Sequence, residues 1–328
     1  MIIQIFYLTL FLFFVNAYTY LYNFIFLATS SRAIYDLLKE SATFFYNNII
    51  STSGKVFLNK PRKSEENFEE KILENPDKID IIISNHTTIL DFMILSYIKD
   101  IHINFVFKNE LIYIPGFGAP LYFDSDIKLQ RNWEEDKLKM TKQLDIIQES
   151  SQSNKKQVIV IFPEGTRIND KNLKEGQEFS KNNNLPIYDD LLVPRTKGLE
   201  LITSYLKSKN TLGRIWDTTF IYQNNKKFSF FNNISKTGNI YLIAREVFIN
   251  NEIPFKNWLI NIWSQKQNII HNYNNYEYNE FKPENKVSNW MVIFFTIIFF
   301  IMLLDNSYGR IFLLISFIVT YLFVIFKL

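Results

Sequence analysis

One short stretch of this chain has residue types and spacing suited to proton transfer. Ser84, Asn85, His86, Thr87, Thr88, Ile89, Leu90 and Asp91 follow directly on the apolar run 79–83. If Thr88 caps a helix, Asp91 falls in its first turn and His86 in the turn just before it, where the chain can fold back. The imidazole then hydrogen-bonds the carboxylate. That contact fixes the ring tautomer and readies the other ring nitrogen to accept a proton from a hydroxyl. The same residues also fit a plainer arrangement, in which Asp91 completes a capping box and His86 is an exposed loop residue.

A second group lies about seventy residues on. The β-rich run 158–162 empties into Pro163, Glu164, Gly165, Thr166 and Arg167. A turn containing Gly165 leaves backbone N–H groups open to an anion, and the planar guanidinium of Arg167 suits bidentate binding of a phosphate. The alternative is a surface turn with a Glu–Arg pair. A third turn, Pro194, Arg195, Thr196, Lys197 and Gly198, opens a helix, where basic residues favour anions such as the phosphates of coenzyme A; a solvated positive turn fits equally well. Arg131 precedes Asn132, Trp133, Glu134, Glu135 and Asp136, which suit an ordinary helix start.

These turns need a frame that brings them together. Apolar runs at 79–84, 158–162, 191–193, 215–222 and 240–247 alternate with amphipathic stretches at 88–98 and 198–206, which predicts an α/β fold with a mainly parallel sheet and flanking helices over residues 34–285. In such a sheet the His86 and Glu164 turns both fall at the carboxyl ends of strands, the edge where open α/β sheets bind ligands. Residues 60–78 are polar and charged and read as an exposed connection into this block.

The ends differ in character. Residues 1–31 carry no charged side chain and suffice for the ~20 apolar residues of a membrane-crossing helix, with no clear basic start or cleavage site of a signal peptide. Residues 290–304 and 311–326 form a C-terminal hydrophobic helical hairpin, either crossing or re-entrant. Lys282, Lys286 and Lys327 share one side of it and favour a cytoplasmic tail. The expected organisation is therefore an N-terminal anchor (1–31), a catalytic block (34–285) and a hairpin of two membrane segments (290–326). A multi-pass protein of an endoplasmic-reticulum-like membrane, with its site facing the cytosol, follows. The net charge of +3 is too small to argue for nucleic acid, and a chain without cysteine excludes disulfides and thiolate chemistry. Three histidines without a paired spacing argue against a metal site.

Asn85 and His86 followed after four intervening residues by Asp91, and Phe162 through Arg167, resemble the NHxxxxD and FPEGTR motifs of glycerolipid acyltransferases. Lys108, Leu111, Ile114, Pro115 and Gly118 resemble a K-x-x-L-x-x-I-P-x-x-G element, and Arg131, Trp133 and Asp136 a further one. With the Pro194–Gly198 turn, Trp216, Asp217, Thr218 and Thr219, and Trp258, Leu259, Trp263 and Lys266, they are similar to the 1-acylglycerol-3-phosphate acyltransferase branch related to lysocardiolipin acyltransferase. The resemblance covers about residues 41–273. It implies His86 as general base and Asp91 as its partner. It also implies Arg131, Glu164, Gly165, Thr166 and Arg167 around the phosphate and glycerol of the acceptor, and Pro194 in an acyl-CoA-binding motif, with Lys197 beside it. It implies acyl-CoA as co-substrate, no cofactor, and lysophosphatidic acid as the first choice of acceptor. Lysophosphatidylinositol and lysocardiolipin are the alternatives. A lipid hydrolase using the same His–Asp pair is the rival of another class. Phe92, Thr87 and Ala119 depart from residues frequent in relatives and bear on acyl-chain and head-group preference.

Overall fold

The computed structural model describes residues 62–63, 68–88, 90–95, 101–113, 126–130, 132–151, 155–222, 240–273 and 279–280. The expected N-terminal anchor (1–31), the C-terminal hairpin (290–326), Arg131 and the segment from Ile114 to Ala119 lie outside the described residues. No described helix is long and apolar enough to cross a membrane. The chain divides into two compact units. One comprises 58–107 and 125–282; the other comprises 1–57, 108–124 and 283–328, of which a 3-10 turn at Asn109–Tyr113 is described.

The larger unit is built on a mixed sheet whose strands are β1 (Arg62–Lys63), β2 (Ile79–Ser84), β3 (Ile101–Lys108), β4 (Ile127–Leu129), β5 (Lys156–Ile161), β6 (Leu212–Tyr222), β7 (Ile240–Val247) and β8 (Asn279–Glu280). Their spatial order is β4-β3-β5-β2-β6-β7-β1-β8. β3, β5, β2 and β6 run parallel, as the sequence predicts; β7 is antiparallel to β6, and β8 to β1. β2 and β5 are buried at every position, which is why they read as continuous apolar runs and not as alternating ones.

Six described helices flank the sheet: α1 (Phe68–Leu73), α2 (Leu90–Leu95), α3 (Trp133–Ser150), α4 (Asp170–Asn182), α5 (Lys197–Ser208) and α6 (Phe255–His271). Ile79, Ile81 and Ile83 of β2 pack with Ile159 and Ile161 of β5 against Met140, Leu144 and Ile147 of α3. Leu199, Ile202 and Leu206 of α5 and Trp258, Leu259, Ile262 and Trp263 of α6 complete this cluster. Burying one such aliphatic side chain contributes about 1.5–3 kcal/mol, so this layer anchors the strand ends that carry the His86 and Glu164 turns.

Two expectations are corrected here. The charged stretch 60–78 is not an exposed connection. It contains β1 and α1, and Phe68 and Ile72, one helical turn apart, are fully buried; the Phe68 ring meets Trp216 of β6 edge-on at 4.9 Å between centroids. The apolar run 191–193 forms no strand. Leu191 and Leu192 are buried as irregular chain that carries the backbone past the Glu164 turn.

Candidate active site

The parallel register places the last residues of β2 and β5 beside the middle of β6, with Ile83 paired to Ile161 on one flank and to Asp217 on the other, and β6 runs on past them to Tyr222. The His86 turn and the Glu164 turn both emerge from this edge. Asn85, the first residue after β2, continues the ladder with its side chain: its Oδ1 accepts from the Phe220 N–H at 2.8 Å, and its Nδ2 donates to the Phe220 carbonyl at 3.0 Å. That clamp fixes where the chain leaves the sheet, and hence where His86 stands.

His86 and Asp91 meet as the spacing predicts, with Nδ1 of the imidazole 2.9 Å from Oδ2 of the carboxylate. The device differs in detail from a Thr88 cap. Asp91 is the second residue of α2, and its own carboxylate closes the turn, with Oδ2 accepting the N–H groups of Thr87 at 2.7 Å and Thr88 at 2.9 Å. One carboxylate therefore makes both the contact to His86 and the cap of the turn. Asp91 is fully buried whereas the His86 side chain is 22% exposed. A carboxylate only accepts hydrogen bonds, so the ring proton sits on Nδ1, and Nε2 keeps its lone pair with no described protein partner. Phe162, at the end of β5, stacks on the imidazole at 4.4 Å and 29° and sets the ring plane.

The second motif is tied to the first. The Ile168 N–H donates to the His86 carbonyl at 2.9 Å, and a turn is closed by the Gly165 N–H on the Phe162 carbonyl at 2.9 Å. Gly165 has φ +68, in the left-handed region that glycine enters without strain. Glu164 is buried just behind the pair, hydrogen-bonded by the backbone N–H groups of His86 and Leu192, with its Oε1 lacking a partner. Burial pushes its carboxyl well above the usual carboxylate range; the charge of Lys266 opposes this and that of Asp91 reinforces it. Thr166 is half-buried and Arg167 exposed.

The third turn joins the same place. The Arg195 N–H donates to the Pro163 carbonyl at 2.8 Å, and the Arg195 side chain lies over Gly165, its Nε 3.1 Å from where a Cβ would stand. Sequence reasoning assigned this turn to acyl-CoA through Pro194 and Lys197. The structure brings its Arg195 against the Glu164–Gly165 turn. Pro194 is buried, and Lys197 is exposed with its Nζ 5.4 Å above the Trp133 ring.

Beneath the edge, Lys266 of α6 is completely buried. Its Nζ lies 2.5 Å from Asp217 Oδ1 and donates to the Thr218 carbonyl at 2.5 Å, while Asp217 Oδ2 takes the Nε and Nη2 of Arg245 at 2.7 Å. Burial lowers the Lys266 ammonium and Asp217 opposes it. The residue that sequence reasoning missed is Tyr222, the last of β6, whose hydroxyl donates to Asp91 Oδ1. Only the parallel pairing of β6 with β2 brings it to this edge.

The Acyltransferase family model matches residues 60–188, a span that holds His86, Asp91 and the Glu164 turn but stops short of Arg195 and Tyr222. Lysocardiolipin acyltransferase 1 of Danio rerio is 33% identical over 160 residues, 46% of this chain and 39% of its own length. Probable 1-acyl-sn-glycerol-3-phosphate acyltransferase 5 of Arabidopsis thaliana is 23% identical over 249 residues, 72% of this chain and 64% of its own. Lysophosphatidylinositol acyltransferase 10 of Caenorhabditis elegans is 27% identical over 221 residues, 63% and 54%. The chain thus spans less than two thirds of the length of these relatives. Over the span that carries His86, Asp91 and the Glu164 turn, the chain is similar to acyltransferases that act on glycerolipids.

Proposed function

We propose that this protein transfers an acyl group from acyl-CoA to the free hydroxyl of a lysophospholipid, with lysophosphatidic acid as the acceptor and phosphatidic acid as the product. The observation that carries this reading is the His86–Asp91 pair: a partly exposed imidazole held through Nδ1 at 2.9 Å by a fully buried carboxylate, with no partner for Nε2 among the described residues. His86 Nε2 takes the proton of the acceptor hydroxyl while that oxygen attacks the thioester carbonyl. The C–S bond then breaks, the ester C–O bond is complete, and the imidazolium returns the proton to the leaving coenzyme A thiolate. No acyl-enzyme is required, and no G-x-S-x-G elbow is present to form one.

The acceptor's phosphate is assigned to Arg167 and Arg195, neither of whose guanidinium groups is engaged by a described protein partner, and to Arg131. Glu164 Oε1 is free to accept from the glycerol. Pro194 and Lys197 remain the proposed contacts of acyl-CoA, whose acyl chain and the acceptor's both enter from a membrane. The anchor (1–31) and hairpin (290–326) would hold the strand-end edge at that surface, on the cytosolic face of an endoplasmic-reticulum-like membrane. Lysophosphatidylinositol and lysocardiolipin are the alternative acceptors, in keeping with the names of the relatives.

The purified protein, incubated with radiolabelled acyl-CoA and a panel of lysophospholipids, should form labelled phosphatidic acid fastest. Faster acylation of lysophosphatidylinositol or lysocardiolipin would replace the acceptor and keep the reaction. Release of free fatty acid without any acylated acceptor would make the protein a hydrolase.

A further inference from the structure

We propose that Tyr222 is a positioning residue of the catalytic pair: its hydroxyl holds the Asp91 oxygen that faces away from His86 and so sets how firmly the carboxylate holds a proton on the imidazole. The proposal rests on the acyl-transfer reading for its consequence in catalysis, but not for its geometry.

The two oxygens of Asp91 are unequally used. Oδ2 receives the imidazole Nδ1 and the N–H groups of Thr87 and Thr88, while Oδ1 receives the Tyr222 hydroxyl. The three contacts on Oδ2 come from residues 86–88, within five positions of Asp91. The contact on Oδ1 comes from the end of β6. It exists because β6 pairs in parallel with β2 through Ile83–Asp217 and Ser84–Thr218, with Asn85 locked to Phe220 one step further along. Tyr222 therefore holds the turn to the sheet and prevents the carboxylate from rotating about its own axis.

The chemistry follows from the donor's identity. A phenol O–H drawing on Oδ1 spreads the negative charge that faces the imidazole. Without it, the whole charge is directed at His86, the imidazolium is stabilised, and the base is occupied by a proton to higher pH. Burial and the adjoining Asp91 charge push the Tyr222 hydroxyl well above its usual range, so it stays protonated and remains a donor. The other ionisable groups facing the pair are Glu164 from the β5 turn and, behind it, Lys266 of α6, which sits against Asp217. Neither touches Oδ1. The Thr88 side chain reaches the same phenol and keeps it in line.

The test uses the full-length protein in detergent with isotope-labelled histidine. There are only three histidines, His86, His102 and His271, so each ring can be followed by NMR as pH is varied. In Tyr222→Phe, which keeps the ring beside Phe220, the His86 midpoint should move to higher pH by about 0.5–1 pH unit while His102 and His271 stay. Replacing Tyr222 by 3-fluorotyrosine, a stronger donor, should move it the other way. In turnover, Tyr222→Phe should shift the acidic limb of the pH–rate profile upward and lower kcat, leaving both KM values unchanged. A His86 midpoint unmoved in both variants overturns the proposal whatever the activity. A loss of turnover uniform across pH assigns Tyr222 to packing alone and overturns it too. If the midpoint moves but the wild type transfers no acyl group, the positioning role stands and the functional reading falls.

Discussion

The two edges of the same parallel strands use similar ions in opposite ways. At the amino edge the buried charges of Asp80 and Lys156 are closed on other protein groups. Lys156 Nζ sits 2.8 Å from Asp80 Oδ1, both side chains 2% exposed, and Asp80 also accepts Trp216 Nε1 at 3.0 Å and the Arg214 N–H at 3.1 Å. Arg214 in turn bonds Glu74 and the Lys71 carbonyl. Gly213 is there because a Cβ would come 2.1 Å from Asp80 Oδ1. At the carboxyl edge, His86 Nε2, Glu164 Oε1 and the guanidinium groups of Arg167 and Arg195 are left without described protein partners. Closed ions fasten strands together; open ones are what a reacting lipid and a thioester would meet.

The largest effect expected of this contrast is on stability at the amino edge. Lys156→Met leaves the Asp80 carboxylate buried without its counter-ion, which should cost about 3–5 kcal/mol in urea denaturation. The double variant Lys156→Met with Asp80→Asn should regain part of that loss, because no charge is then stranded. An equal loss in both would mean that the pair contributes through shape and not charge.

At the carboxyl edge the same type of residue should matter to binding instead. Arg195→Ala and Arg167→Ala each remove charge-assisted bonds of about 1.5–3 kcal/mol, so the KM for lysophosphatidic acid should rise about 10- to 100-fold. The KM for acyl-CoA and the melting temperature should change little. A rise confined to acyl-CoA would return the Arg195 turn to the role first read from sequence.

The smallest effect is one of sign. The Glu164 carboxyl is raised above its ordinary 4.5, foremost by burial, so the folded protein holds a proton that the unfolded chain has released at higher pH. Stability therefore falls as pH rises above that value. Glu164→Gln has no proton to lose, so it should melt above the wild type at pH 8, the gap closing toward pH 4.5. A gap independent of pH would show that Lys266 keeps Glu164 ionised throughout.

Much of the open edge was legible in the sequence, and less of the closed one. The bounds 79–84 were read as the structure has them, and the His86–Asp91 contact followed from a spacing of five within one turn. Local geometry decides such contacts. Tyr222 stands 131 residues from Asp91, and no periodicity reports that β6 is the parallel neighbour of β2. The stretch 60–78 was misread because Phe68 and Ile72 are two apolar residues in a charged window, and two residues one turn apart suffice to seat a six-residue helix. The run 191–193 was misread for the opposite reason: buried leucines signal an interior, not a strand. The resemblance singled out Trp216, Asp217 and Lys266 without a role, and the structure supplies one for each: Trp216 binds Asp80 at the closed edge, and Asp217 and Lys266 form a buried ion pair beneath the open one.

On the proposed reading, the open edge performs chemistry that the fold does not need. The most direct test compares His86→Ala with the wild type in turnover of acyl-CoA and lysophosphatidic acid, alongside a melting curve of each. Turnover should fall by about 10²–10⁴-fold, the contribution of a general base, with the melting temperature and both KM values nearly unchanged. Near-normal turnover in that variant, or a loss explained by unfolding, would contradict the account.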